Sequence, residues 1–392
     1  MVEWRRMEVV EMFNNSMSSR EIVMRALEHK STPRAPFSLG FGVNLPAKLR
    51  LMEYLGHDCL RQTEDFLLAF DDIRRVAPRY IGPAERELTL PDGCTIDIWG
   101  VMRKPVTYTK DGVYDEICYY PLAGASSAAD LDAYEWPSPD WYDYATLPDI
   151  VRDINPNGKF AIMLGKGNIF ESTWYMRGFE QILMDIVLEP DLIDAIMDRV
   201  TAFYIEYFER ALNAARGSID LVFTADDIAG QNGMLMSPDT WRKRIKPFHK
   251  QMNARLHEHG VKIIYHTDGA AHSVIDDLID MGIDCWEALQ LDAHGMDAAE
   301  IKKAAGGRLA FHGGISVQQL LPYASPEEVR AEVARLIRCL GGGCSGSDGY
   351  SGCNPGCQGG YIAAPSHAIQ AGTPPENIIA MLQTARPDIN MK

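Results

Sequence analysis

Short apolar runs recur along the chain and have the length of buried β-strands. They lie at Pro36–Leu39, Leu67–Ile73, Phe160–Leu164, Asp220–Thr224, Val261–His266, Ile283–Leu289, Arg308–Gly313 and Gly360–Ala364. From the fourth run onward, helical patterns separate the runs, at Pro238–His259, His272–Met281, Ala298–Ala305 and Pro326–Leu340. This alternation indicates βαβ units with right-handed crossovers. It predicts an α/β protein with a closed (β/α)8 barrel of the TIM type.

An open, doubly wound sheet is the alternative arrangement for alternating strands and helices. Its usual fingerprint is a Gly-x-Gly-x-x-Gly segment that leads from the first strand into a helix. This segment is missing after the first predicted strand. The closed barrel is therefore favoured.

The barrel is predicted to span residues 36–386, after an N-terminal helical extension over residues 1–35. In the extension, Ser19 is a candidate cap for a helix that ends near His29. Its apolar stripe consists of Ile22, Val23 and Leu27.

Two insertions interrupt the barrel pattern. Between about residues 78 and 135, the segments Leu88–Trp99 and Gly112–Tyr120 alternate apolar with polar residues around turn signals, which predicts a β-hairpin excursion. A Cys- and Gly-rich loop is predicted over residues 341–359. Its cysteines and the one before it have none of the usual Cys-x-x-Cys spacings of zinc sites; they are Cys339, Cys344, Cys353 and Cys357. A flexible loop, a structural metal and a disulfide all stay open for this segment.

Charge and composition limit the classes of partner. The 392 residues are 46% hydrophobic and 23% charged, and 38 Lys and Arg stand against 54 Asp and Glu, for a formal charge of -16. Such an acidic chain repels phosphate backbones and anionic lipids, so neither nucleic acid nor a membrane is expected as a partner. The sequence has no apolar run of the roughly 20 residues that a membrane span needs. With four of the eight cysteines scattered singly, it predicts a cytoplasmic protein with reduced thiols.

Polar side chains occupy the predicted strand ends, where barrel enzymes carry their reactive groups. They are Asp71 and Asp72 after the second strand, Glu171 after the third, Asp226 and Asp227 after the fourth, His266 and Asp268 after the fifth, Glu287 in the sixth, His312 in the seventh and His367 after the eighth. Single surface carboxylates are ordinary, but histidines at successive strand ends are not. Catalytic roles are predicted for Asp72, Glu171, Asp227, Glu287 and His312.

His266 and Asp268 are candidate metal ligands. Residues two apart in an extended segment project to the same side, so both side chains can reach one ion. An imidazole and a carboxylate suit catalytic zinc, which takes three protein ligands, and His367, Glu287 or His312 would supply the third. The alternative is a hydrogen-bonded pair without a metal, which would also serve proton transfer.

Several segments resemble the uroporphyrinogen decarboxylase superfamily, in the same order and from about residue 18 to 384. They are residues 19–36, Asp71–Ile73, Met236–Asp239, His266–Gly269, Phe311–Ile315, Pro322–Glu327 and Ala363–His367. The resemblance implies a (β/α)8 barrel. It also implies one of two activities: cofactor-free porphyrinogen decarboxylation, or zinc-dependent methyl transfer to a corrinoid protein.

The decarboxylase branch carries arginines after the first strand that grip the carboxylates of the substrate. Here that place reads Ser38-Leu-Gly-Phe-Gly-Val-Asn-Leu-Pro46, without arginine. A highly anionic porphyrinogen would therefore leave unpaired charge in a partly buried site. The resemblance does match Asp72 and His367 to decarboxylase residues, and a tyrosine to Trp174 or Tyr175. Decarboxylation of another carboxylated substrate stays the alternative activity.

The methyltransferase branch places a His-x-Cys pair after the fifth strand and a Cys after the eighth strand as zinc ligands. Here His266 is kept, Asp268 replaces the first Cys, and Ser366-His367 stands at the second. The resemblance thus implies zinc on His266, Asp268 and His367. Harder oxygen and nitrogen ligands suit activation of an oxygen atom better than of a thiol. We therefore favour a methyltransferase that moves a methyl group from a small methyl ether to a corrinoid on a separate protein.

Aromatic residues near the predicted strand ends are candidates for binding a methoxylated aromatic substrate. They are Phe41, Trp174, Tyr175 and Trp286. Glu171 and Asp227 are candidates for a proton relay. A non-catalytic barrel that only binds a ligand is a further alternative. Relatives in this superfamily pair two barrels as a homodimer or dock a corrinoid domain over the barrel mouth, and the sequence leaves both arrangements open.

Overall fold

The computed structural model describes residues 9–11, 17–109, 112–342 and 359–391. Seven parallel strands form one curved sheet, in which each strand pairs with the next one along the chain. They are Ile73–Val76, Ala161–Asn168, Leu221–Ala225, Lys262–His266, Cys285–Ala288, Ala310–Ile315 and Tyr361–Pro365.

Residues 36–38 close this sheet into a barrel. Phe37 pairs in parallel with Ala363 of the last strand. On the other side, the carbonyl oxygen of Phe37 accepts a hydrogen bond of 2.9 Å from the backbone N–H of Asp72, next to the first strand of the sheet. This extended segment takes the place of the first of eight strands, and the predicted (β/α)8 barrel is confirmed.

Helices cover the outside of the barrel. The α-helices are Ser19–Leu27, Leu45–Leu55, Leu60–Phe70, Ala128–Ala133, Leu147–Ile154, Ile169–Arg177, Phe179–Leu188, Pro190–Ala215, Pro238–Arg244, Lys246–His257, Ile275–Asp280, Ala298–Ala305, Leu320–Tyr323, Pro326–Gly341 and Pro375–Ala385. Short 3-10 turns lie at Pro139–Trp141, Tyr144–Thr146 and His272–Val274. None of the described helices is long and apolar enough for a bilayer span.

The strands separate two hydrophobic layers because successive side chains point to opposite faces. Inward residues such as Met163, Ile264 and Ile362 form a cluster inside the barrel. Outward residues pack against the surrounding helices in a larger cluster. Val23 and Leu27 of the first helix belong to the interior cluster, so this helix closes the amino-terminal end of the barrel.

The first helix begins one residue earlier than the capping prediction implied. Ser18, not Ser19, is the N-cap, and it forms a capping box with Glu21. The backbone N–H of Arg20 donates to Lys159, and Gly360 donates to Ala26, which ties both ends of the helix to segments that precede barrel strands.

The strand predicted at Leu67–Ile73 is wrong. Residues Leu60–Phe70 form a helix, and the second barrel strand begins at Ile73. The apolar run was the buried face of this helix, since Phe66, Leu67 and Phe70 are spaced by one helical turn and packed inward. Asp71 and Asp72 therefore precede the second strand instead of following it.

An antiparallel sheet lies between the second and third barrel strands, as the alternating pattern predicts. It has four strands: Leu88–Thr89, Thr95–Ile96, Met102–Thr109 and Gly112–Tyr119. Smaller two-stranded pairings join Val9–Glu11 to Ile389–Met391, Arg79–Tyr80 to Tyr142–Asp143, and Ala229–Gly230 to Gly233–Met234. The predicted turn residues 110 and 111 lie outside the described residues. So do Cys344, Cys353 and Cys357, whereas Cys339 is described and buried.

Candidate active site at the barrel mouth

The carboxyl ends of the fourth to eighth strands bring polar residues from distant parts of the chain together. His266 ends the fifth strand, Glu287 lies in the sixth, and His312 lies beside it in the seventh. Asp227 follows the fourth strand, and its carboxylate accepts from the backbone N–H of Asp268 at 3.0 Å. This end of the barrel is called the mouth below.

A carboxylate fixes the orientation of the His266 ring. Nδ1 of His266 donates to Oε2 of the buried Glu287. The other ring nitrogen, Nε2, then faces Asp227 Oδ1 at 3.6 Å and Asp268 Oδ2 at 3.9 Å. A carboxylate that binds one ring nitrogen and leaves the other to face possible ligand groups is the usual support of a metal-binding histidine.

His266, Asp268 and His367 each direct a potential ligand atom toward one point. The three atoms lie within 4.8 Å of one another. Ligand atoms around a tetrahedral zinc ion, with bonds of roughly 2.0–2.2 Å, are about 3.3–3.6 Å apart. Small side-chain rotations would close this difference. The donor set is therefore compatible with a divalent metal ion, and His367 lies where a third ligand, left open by the spacing of residues, would be needed.

The electrostatics of this cluster favour positive charge. Burial would lower the pKa of His266, but Glu287, Asp268 and Asp227 outweigh it and raise the pKa to about 10. Burial raises the pKa of Asp268 to about 6, against the opposing influence of His266. Burial and, to a lesser extent, the positive charge of His266 lower the pKa of His367. A cation bound between these groups would take the place of the proton on His266.

Glu287 and His312 form a second buried pair beside His266. His312 Nδ1 lies 3.6 Å from Glu287 Oε1, and neither atom has a hydrogen-bond partner within the described part of the chain. Burial lowers the pKa of His312 to about 4, so its ring is neutral at pH 7. Gly40 approaches the same pair, since a Cβ there would lie 3.7 Å from the His312 ring.

Glu171 is held at the start of the helix Ile169–Arg177. Its carboxylate accepts from the Tyr175 hydroxyl at 2.6 Å and from the Asn168 amide at 2.6 Å. Burial, together with the charges of Asp227 and Asp226, raises the pKa of Glu171 to about 7. Near neutral pH this carboxyl group can therefore both hold and release a proton.

Asp226 positions Glu171 through hydrogen bonds to the backbone at the start of the helix. Its carboxylate accepts from the backbone N–H groups of Phe170 and Glu171, each at 2.7 Å, and also bonds the buried His249 ring. The helix start is thereby fixed to the end of the fourth strand. Trp174 contacts the Tyr175 ring, with centroids 4.2 Å apart, on the same helix.

Phe41 covers the candidate metal-ligand cluster, which consists of His266, Asp268 and His367. Its ring stacks on His367 with a centroid distance of 4.7 Å and meets the His266 ring edge-on at 4.9 Å. Gly40 and Gly42 flank it with φ values of 57° and 81°, a backbone conformation that favours glycine. The ring is 41% exposed, so it faces the open mouth.

Two further mouth residues were not predicted from the sequence. Phe223 of the fourth strand lies beside Phe41, with ring centroids 5.9 Å apart. Arg75 of the second strand places its guanidinium carbon 5.4 Å from the Phe223 ring centroid. The alternation of inward and outward residues after Ile73 would have pointed to Arg75, had the second strand been placed correctly.

Asp72 and Trp286 do not lie with the other predicted site residues. Asp72 is fully buried at the amino-terminal end of the barrel, where Arg34 and Arg386 bind its carboxylate. Its predicted position after the second strand is wrong because the strand begins only after it. Trp286 is fully buried in the outer layer, and its indole N–H donates to the carbonyl of Thr267. Neither side chain faces the mouth.

A closed barrel with ionisable side chains gathered at the carboxyl ends of its strands has the architecture of TIM-barrel enzymes. The chain belongs to the uroporphyrinogen decarboxylase (URO-D) family, whose model matches residues 124–387.

Individual relatives are distant. The chain is 25% identical to uroporphyrinogen decarboxylase of Geobacter sulfurreducens over 194 residues, which span 50% of this chain and 48% of the relative. It is 25% identical to the enzyme of the same name in Aliivibrio salmonicida over 264 residues, 64% of this chain and 65% of the relative. The alignments thus span about half to two thirds of these relatives. A methyltransferase from Methanosarcina mazei has the same fold, with a TM-score of 0.63, 18% identity and coverage of 95% of this chain and 99% of its own.

Proposed function

We propose that this protein is a zinc-assisted methyltransferase that moves a methyl group from a small, methoxylated substrate to a corrinoid protein. The observation that carries this proposal is the convergence of His266, Asp268 and His367, whose potential ligand atoms lie within 4.8 Å of one another at the mouth. Membership in the URO-D family and the shared fold with a methyltransferase are compatible with it.

The donor set matches activation of an ether. Zinc held by His266, Asp268 and His367 would act as a Lewis acid toward the ether oxygen of the substrate. One carboxylate and two imidazoles are harder ligands than the thiolates that suit thiol substrates. Glu287 keeps Nε2 of His266 directed at this position, because it binds Nδ1.

A proton is needed when the methyl group leaves, since the oxygen atom that loses it becomes an anion. Glu171 is the group that supplies this proton in the proposal. Its pKa of about 7 leaves part of the carboxyl protonated at neutral pH. The hydroxyl of Tyr175 holds the carboxyl in place. The negative charge of Asp227 raises the pKa of Glu171, and this favours retention of the proton until the methyl group leaves.

The aromatic residues of the mouth form the substrate wall in this proposal. Phe41 and Phe223 lie next to His266, with centroid distances of 4.9 and 6.0 Å. Trp174 and Tyr175 lie on the helix that carries Glu171. An aromatic methyl ether would bury its ring against these side chains. The corrinoid protein would dock over the same mouth.

Decarboxylation of another carboxylated substrate is the second candidate. The names of the curated relatives favour it, and Arg75 supplies a guanidinium in the mouth despite the lack of arginine after the first strand. Against it, Asp72, the residue matched to the aspartate of decarboxylases, lies at the opposite end of the barrel with Arg34 and Arg386.

Metal analysis and a methyl-transfer assay test the proposal. Purified protein should contain about one zinc per chain, and His266→Ala, Asp268→Ala and His367→Ala should each lose it, whereas His294→Ala, on an exposed loop, should keep it. Mixing with a cobalt(I) corrinoid protein and methoxylated aromatics should bleach the cobalt(I) absorption. Zinc-free protein with unchanged thermal stability after chelation would refute the proposal. Release of CO2 from a carboxylated substrate without methyl transfer would favour the second candidate.

A further inference from the structure

Arg75 is a cation at the mouth that the proposed chemistry does not use. It lies in the second barrel strand, and its side chain is solvent-exposed although its neighbours Ile73 and Val76 are buried. One of its N–H groups donates to the carbonyl oxygen of Gly40 at 2.8 Å. This bond holds the guanidinium against the loop that carries Phe41.

The guanidinium has no carboxylate partner within ion-pair distance among the described residues. Glu287 and Asp71 act on it through space only. By contrast, Arg34 and Arg386 at the opposite end of the barrel pair with Asp72. Arg75 is thus a solvent-accessible cation at the mouth, and the described residues use only part of its five N–H donors, so the others are available to an anionic ligand.

Two aromatic rings connect Arg75 with the metal-ligand cluster. The guanidinium carbon lies 5.4 Å from the Phe223 ring centroid and 6.0 Å from that of Phe41. The same rings lie 6.0 and 4.9 Å from the His266 ring. The two rings therefore form an apolar surface that lies next to both the Arg75 cation and the His266 ring, and a flat substrate packed on this surface would lie near both groups.

We propose that Arg75 binds a carboxylate of the substrate, so that the substrate is an aromatic acid with a methyl ether. The planar guanidinium fork matches a carboxylate in two parallel hydrogen bonds. The loop after the first strand has no arginine that could bind a carboxylate. In this proposal Arg75 of the second strand binds it instead. The methyl ether part rests on the proposed function, whereas the carboxylate part does not.

Calorimetric binding of 3-methoxybenzoate and its neutral analogue 3-methoxybenzamide tests this role. The titrations use the full chain with excess chelator, so that no metal can bind the carboxylate, and are repeated with zinc added. Wild-type protein should bind the acid at least about tenfold more tightly than the amide. Arg75→Gln should weaken binding of the acid by roughly 10- to 100-fold and leave the amide unchanged.

Two further variants separate recognition from general effects. Arg75→Lys keeps the charge but not the fork, so it should restore only part of the preference for the acid. Arg61→Gln, on an exposed helix, should behave as wild type. A wild-type protein without preference for the acid, or a preference that survives Arg75→Gln, would overturn the inference. An Arg75-dependent preference without any methyl transfer to cobalt would support the inference while refuting the proposed function.

Discussion

His266 and Glu287 are joined through the Nδ1 atom of the imidazole, which donates to a carboxylate oxygen in the neighbouring strand of the barrel. The residues face each other in the register of the fifth and sixth strands, so the backbone pairing sets this contact. The tautomer and the ring orientation follow from it.

Replacement of Glu287 by Gln should weaken zinc binding about 10- to 100-fold. The amide can still accept from Nδ1, but it removes the charge that increases the basicity of His266. Competition with a chromophoric chelator measures the affinity. Glu300→Gln, on the exposed surface of the helix Ala298–Ala305, is the control and should bind as wild type. Equal affinities of Glu287→Gln and wild type would show that the pair does not support a metal.

The stability of the chelated protein should fall as the pH rises from about 6.5 to about 10. His266 loses its proton near pH 6.5 in the unfolded chain, but its pKa in the folded chain is about 10. The folded state therefore binds more protons between these values, and this contribution is complete below pH 6.5 and lost above pH 10. Thermal unfolding of wild type and His266→Asn across this range measures it.

The difference in stability between these two proteins should shrink with increasing pH. His294→Asn, at an exposed histidine, should show a constant difference from wild type. A difference for His266→Asn that does not change with pH would contradict the charge assignment of the cluster.

Tyr175→Phe should raise the pKa of Glu171 above its value of about 7. The Tyr175 hydroxyl donates to the Glu171 carboxylate and lowers its pKa, against the larger opposing effect of burial. Titration of the labelled glutamate side-chain carbon by NMR, with Glu171→Gln to identify the signal, measures the shift. Trp174→Phe keeps the hydrogen bond and should leave the titration unchanged. An unchanged midpoint in Tyr175→Phe would refute this role of the hydroxyl.

Asp72→Asn should destabilise the fold by about 3–5 kcal/mol without loss of zinc. The fully buried carboxylate binds Arg34 and Arg386 and accepts from the backbone N–H of Phe37, so the amide would leave buried positive charge uncompensated. Denaturant unfolding and metal analysis measure the two effects. Wild-type stability combined with a lost activity would instead give Asp72 the catalytic role predicted from the sequence.

The convergence of His266, Asp268 and His367 could be predicted from the sequence because it depends on the position of residues relative to strands. His266 and His367 each lie at the end of a continuous apolar run, and parallel strands bring such ends together. The pairing of His266 with Asp268 followed from their spacing. Residue spacing alone left the third member open among His367, Glu287 and His312, and the resemblance to the uroporphyrinogen decarboxylase superfamily implied His367.

The remaining site could not be predicted where local patterns were ambiguous. The run before Asp72 has the apolar content of a strand and the spacing of a helix, and packing against the barrel favours the helix. Because of this ambiguity, Asp72 was predicted at the wrong end of the barrel, and Arg75 was not recognised as a residue of the second strand. Trp286 is adjacent to Glu287, but alternation along the strand directs the two side chains to opposite faces.

Val23 and Leu27 seal one end of the cylinder from below. Among the described residues this leaves the mouth as the route by which a small molecule would reach His266. In the proposed methyl transfer, a protein docked over the mouth would block that route. The proposed function therefore requires a fixed sequence of binding: the small molecule enters before the protein docks, and the demethylated product leaves after the protein has dissociated.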